Sequence, residues 1–130
     1  MYSEIKNLNI DSAKSVSDEQ ISTFEKELNI SFGNEFKTYL KEFGCISKDY
    51  LEFYGICGEN NSIPSAIFAT KSMRNNVPNF SKDLIVFYEI GDGRFYCVDT
   101  NDNVYLCDFD KVTDTNTSFK SFLINKIKNI

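Results

Sequence analysis

The stretch Leu84–Phe109, LIVFYEIGDGRFYCVDTNDNVYLCDF, constrains this chain more than any other. It predicts three strands joined by two tight turns. Leu84–Ile90 is dense in β-branched and aromatic residues, which fit a pleated, half-buried surface. Gly91-Asp92-Gly93 follows, and glycine there permits the positive φ that a two-residue hairpin loop needs. Arg94–Asp99 is the second strand, Thr100-Asn101-Asp102-Asn103 the second turn, and Val104–Phe109 the third strand. A loop at Gly91-Asp92 sets Tyr88 opposite Phe95 and Val86 opposite Cys97. A loop at Asp92-Gly93 moves the register by two and keeps the same faces together. The charge of the chain is concentrated here as well. Glu89, Asp92, Asp99, Asp102, Asp108, Asp110 and Asp114 face only Arg94 and Lys111, a net −5 equal to that of the whole chain. The rest of the sequence is neutral, so the expectation is a sheet with an acidic rim.

A chain of 130 residues with 42% hydrophobic and 15% aromatic content is expected to form one domain with a substantial core. Leu84–Tyr88, its longest apolar run, is far too short to span a membrane. Met1-Tyr2-Ser3-Glu4 does not read as a secretory leader, so a cytoplasmic protein is expected. In that compartment Cys45, Cys57, Cys97 and Cys107, which lack any CxxC spacing, are expected to be four free thiols. Net negative charge argues against a nucleic-acid partner and suits a basic protein.

Residues 1–16 read as a polar lead-in with Ile5, Leu8 and Ile10 as anchors. Ser17 and Gln20 form a capping box, with Val16 and Ile21 placed as a hydrophobic staple. Ile21, Phe24 and Leu28 then share one face of a helix ending near Asn29. Asn34 is the expected cap of a second helix that buries Phe36, Leu40 and Phe43 and stops at Gly44. Tyr50–Ile56 reads as a strand of the same sheet as the meander. Gly58–Ser62 reads as an exposed loop. Pro64 suits the start of a third helix, capped by Ser62 or Ser65 and running to about Asn75. Thr117 is the expected cap of a last helix, with Phe119, Phe122, Leu123, Ile127 and Ile130 as its stripe. The resulting order is α+β, with helices packed on a mostly antiparallel sheet.

The sequence offers little for catalysis. There is no histidine, which removes the usual general base and the commonest metal ligand. Glu89 and Asp99 could act as paired carboxylates, but a solvated sheet edge explains them as well. Asp99–Asn103 starts like a calcium loop but lacks the sixth-place glycine and the distal glutamate. Gly91-Asp92-Gly93 has no surrounding phosphate-loop pattern. No cofactor or metal is expected.

Four groups of residues resemble the SUKH superfamily, specifically its Smi/Knr-type domain. They are Ser17–Ile21 with Phe24–Leu28; Glu35–Leu40 ending at Phe43-Gly44; Leu84–Tyr88 running into Gly91–Gly93 and Tyr96–Asp99; and Val104–Leu106 with Phe119–Leu123. The resemblance covers roughly residues 17–125. It departs from the family pattern where Phe32-Gly33 replaces a Leu-Pro pair. It implies a non-enzymatic protein. Bacterial members are immunity proteins that bind and block a cognate toxin domain, often a nuclease, in the cytoplasm. Fungal relatives are regulatory scaffolds, which is the alternative reading.

Under the first reading the partner is a basic toxin domain gripped by the acidic rim. The expected contact residues are Glu59, Glu89, Asp92, Asp99, Asp102, Asp108 and Asp110. Tyr54, Tyr96 and Tyr105 are the aromatic anchors, since interface hot spots favour tyrosine. Asp92 and Asp102 are both expected in exposed turns.

Overall fold

The computed structural model describes residues 1–13, 15–57, 65–109 and 111–129. Among these residues five helices and two antiparallel sheets form an α+β fold. The helices are α1 (Ser3–Lys6), α2 (Asp18–Leu28), α3 (Asn34–Phe43), α4 (Ala66–Asn76) and α5 (Phe119–Lys128). A three-stranded sheet holds β1 (Asp11–Ser12), β2 (Ile46–Lys48) and β3 (Leu51–Phe53) in that order. A four-stranded sheet holds β4 (Ile85–Gly91), β5 (Arg94–Val98), β6 (Asn103–Asp108) and β7 (Lys111–Ser118).

The meander forms as its turns dictate. Asp92 and Gly93 have φ of +56° and +79°, so they are the two-residue loop that pairs Gly91 with Arg94. Irregularities after Val86 and after Glu89 then shift the register by one residue each. Val86 therefore faces Cys97, as a loop at Gly91-Asp92 would place it, while Tyr88 faces Tyr96 and not Phe95.

The strand expected at Tyr50–Ile56 is shorter and belongs to the other sheet, as β3. The chain bends away after Phe53, and a bond from the Tyr54 N–H to the Phe87 carbonyl (2.7 Å) joins it to β4 without a ladder. The lead-in is part of the fold. Tyr2 and Ile5 are fully buried, and the Tyr2 hydroxyl donates to the Glu35 carbonyl at 2.7 Å. A strand the sequence reading missed, β7, closes the second sheet; the cap of α5 is consequently Ser118, one residue past Thr117.

The capping box is present: the Gln20 N–H donates to Ser17 Oγ, and the Ser17 N–H to Gln20 Oε1. Val16 and Ile21 are both buried beside it. Ser65 caps α4 through the Phe68 N–H. Pro64 and the Gly58–Ser62 loop lie outside the described residues. The core runs between the two sheets and the helices. At its centre the Phe119 ring meets Phe36, Tyr39 and Phe87 at centroid distances of 4.9–5.2 Å.

The expectation of four free thiols is corrected at Cys45 and Cys57 and holds at Cys97 and Cys107. Cys45 and Cys57 form a disulfide, because the turn into β2 and the segment after β3 bring their Cα atoms to 6.0 Å. Cys97 and Cys107 are free and buried on adjacent strands, and burial pushes the Cys97 thiol upward in pKa. Protein purified without reductant and then unfolded should therefore show two titratable thiols. A count of four would remove the Cys45–Cys57 bond.

Candidate protein-binding surface

β5 runs between the β4–β5 hairpin tip and the Asp99–Asp102 turn. Five residues at strand rise put about 16 Å between the two. The acidic residues are therefore divided between opposite ends of the sheet, and no single rim collects them.

At the turn end the carboxylates serve the fold. Asp99 accepts the N–H groups of Asn101 and Asn103, both at 2.9 Å, and the Tyr105 hydroxyl at 3.0 Å. Burial opposes ionisation of Asp99, but these donors outweigh it and hold the carboxyl below its usual range. Asp102 is buried, not exposed as the sequence suggested. Its two carboxylate oxygens accept the N–H groups of Glu35 (2.9 Å) and Phe36 (3.1 Å), so it caps α3 in place of Asn34. Its own carbonyl accepts the N–H of Phe119 at 2.8 Å. Glu35 completes the connection by accepting the Lys120 N–H at 2.7 Å, in the first turn of α5. Burial pushes the Asp102 carboxyl upward; the two helix N–H groups pull it back, while Glu35 and Asp99 add to the rise. Gly33 makes this geometry possible. A Cβ there would stand 2.3–2.6 Å from the Asp102 carboxylate atoms.

The hairpin end is different. Glu89 and Asp92 are exposed, and Asp108 is half-buried opposite Arg94 and Lys111. Ile90 and Phe109 are exposed apolar residues at the same end, and the Phe109 ring lies close over Gly93. Beside them a groove of about 260 Å³ opens between α4 and the hairpin. Phe68 and Met73 of α4, Phe95 of β5 and Tyr54 wall it, with Glu89 and Asn76 at its edge. Tyr54 is buried, and its hydroxyl donates to Glu89 Oε1 at 3.4 Å. Burial first, then the charges of Glu89 and Glu52, push its pKa up to about 12, so the phenol remains a neutral donor.

The three expected aromatic anchors are scattered. Only Tyr54 stands by this groove. Tyr96 packs on Phe122 at 4.5 Å with Lys126 over its ring, and Tyr105 is tied to Asp99. Glu59 and Asp110 lie outside the described residues. Phe68, Ile90 and Phe109 were not singled out by the sequence reading, which placed the last two at strand ends; Met73 is part of the core and also lines the groove.

A family model described as SMI1-KNR4 cell-wall, of the SUKH group, matches residues 1–128. The chain belongs to the SUKH superfamily. The match takes in the buried first helix as well as the stretch identified by motif. A crystal structure of a protein from Pseudomonas syringae pv. tomato shares this fold, with a TM-score of 0.68 at 17% identity, over 85% of this chain and 81% of that one. No curated protein matches the chain. In this SUKH domain the glycine that stands where the family pattern has proline is the one that admits the Asp102 carboxylate. Among the described residues no group of three or more Cys, Asp or Glu side chains is placed to hold a metal, and no helix is long and apolar enough to cross a membrane.

Proposed function

We propose that this SUKH domain is a non-enzymatic immunity protein that binds and neutralises a cognate, basic toxin domain. The observation that carries the reading is the hairpin end: exposed carboxylates beside exposed apolar residues and a groove. An apolar centre with charged surroundings is the make-up of a protein interface. The SUKH superfamily includes toxin immunity proteins, which gives the partner its class. Absence of histidine from the chain and the commitment of Asp99 and Asp102 to backbone donors favour binding over catalysis. The contact set drawn from the expected residues is Tyr54, Glu89, Asp92 and Asp108.

The test uses the protein encoded by the neighbouring gene, expected to carry the toxin domain. Co-expressed wild-type chain should restore growth, and purified chain should bind the domain quickly and with strong salt sensitivity. Glu89→Lys with Asp92→Lys should lower the association rate at least about tenfold at low salt, because steering by such charges changes on-rates by that order or more. The fold should survive, since both side chains are exposed. Full protection with an unchanged on-rate would remove the hairpin end from the interface. If the neighbouring gene encodes no toxin and the chain captures a host regulator instead, the scaffold reading replaces this one.

A further inference from the structure

The groove between α4 and the β4–β5 hairpin has a chemistry that selects its occupant. Its walls are apolar: Phe68, Met73 and Phe95, with the ring of Tyr54. Its edge carries the Glu89 carboxylate, which among the described residues is paired with no Lys or Arg. Met73 and Asn76, in the last turn of the 11-residue helix α4, also line it, so the negative end of that helix lies at the groove. Arg74 of the same turn donates to the Lys82 carbonyl at 3.0 Å and does not line the groove.

A leucine or methionine side chain would satisfy the walls and fail at the edge. It would cover Glu89 and take water from a carboxylate without replacing it, which is costly. A short polar group would satisfy Glu89 and leave the walls empty. The side chain that meets both requirements has an aliphatic stem and a cationic head. Arginine fits better than lysine, because a planar guanidinium stacks on aromatic rings and can take a carboxylate with two parallel bonds. From this complementarity we infer that the groove is a receptor for one arginine side chain of the basic partner, with Phe95 and Phe68 against its stem and plane and Glu89 on its guanidinium. The Tyr54 hydroxyl, already donating to Glu89, orients that carboxylate.

This deepens the toxin-binding reading, and it is tested without a toxin. The isotope-labelled full chain is titrated by NMR with acetyl-Gly-Arg-Gly-amide and with the same peptide carrying citrulline, which keeps the shape and loses the charge. A leucine version is the third probe. The expected result is millimolar arginine binding with amide shifts confined to Tyr54, Phe68–Asn76, Glu89 and Phe95. Citrulline should bind at least about tenfold more weakly, the worth of one charge-assisted hydrogen bond. Glu89→Gln should reduce arginine binding by a similar factor and leave citrulline unchanged. No shifts at high millimolar peptide, shifts elsewhere, equal binding of arginine and citrulline, or preference for leucine would each overturn the inference. None of those results would affect the co-expression test of toxin protection. Conversely, a toxin that fails to bind would leave an arginine-selective groove in place.

Discussion

Asp102→Ala should destabilise the protein by roughly 2–3 kcal/mol, the cost of losing a helix cap and stranding one buried and one part-buried N–H donor. The donors are those of Glu35 and Phe36, which have the Asp102 carboxylate as their partner. Gly33→Ala should cost about 1–3 kcal/mol for a different reason, the overpacking of its Cβ against that same carboxylate. Its φ of −70° is open to alanine, so the backbone itself raises no objection. The two costs should therefore not add. With Asp102 already replaced by Ala, the space is vacant, and Gly33→Ala should cost less than about 0.5 kcal/mol, its poorer capping offset by the lower entropy of the unfolded chain. Urea unfolding of the wild type, both single variants and the double variant measures the coupling. Additive costs would mean that Gly33 is conserving something other than room for the carboxylate.

Gly55→Ala should be at least as damaging, by about 3–5 kcal/mol. A Cβ at Gly55 would lie 1.8 Å from the Gly44 carbonyl oxygen and 3.2 Å from the Tyr39 ring. The strand end would have to swing away. That movement breaks the bond from the Ile56 N–H to the Gly44 carbonyl (2.9 Å) and disturbs the bond from the Ala66 N–H to the Gly55 carbonyl (2.8 Å). The Cys45–Cys57 disulfide ties the same two segments, one residue beyond Gly44 and two beyond Gly55. Reduction should consequently make the Gly55→Ala defect smaller, since the covalent tie then no longer resists the movement that relieves the clash. Thermal unfolding with and without reductant checks both statements. A Gly55→Ala melting temperature within a degree or two of wild type would mean the close approach is absent.

What could be read from the sequence was local. Ser17 and Gln20 are three residues apart, so the cap of α2 is written in adjacent letters. The Asp92-Gly93 turn and the alternation on either side of it are equally short-range. β7 was missed because its first four residues are all exposed and carry no apolar alternation; Thr113, Thr115 and Thr117 at every second place were the available signal. Asp102 was misread because a turn aspartate has a ready local explanation, while the N–H groups it serves lie 66 and 67 residues earlier. The Tyr54–Glu89 contact spans 35 residues, and the disulfide depends on where two loops meet. Charge counting found the acidic segment and misjudged its shape. It treated one acidic stretch as one surface, whereas β5 holds its two ends apart.

That separation has an evolutionary meaning. Asp99 and Asp102 stabilise the molecule at one end of β5, while at the other Asp92 is exposed and Glu89 accepts the Tyr54 hydroxyl. Substitutions about 16 Å apart, with no shared partner, make independent contributions to stability. The hairpin end can therefore accept new charges and new side-chain shapes without eroding the network that holds α3 to α5. A lineage under pressure to recognise changing adversaries could rewrite Ile90 freely, and Asp92 or Phe109 within what a left-handed backbone tolerates, while Gly33 and Asp102 would have to change together or not at all.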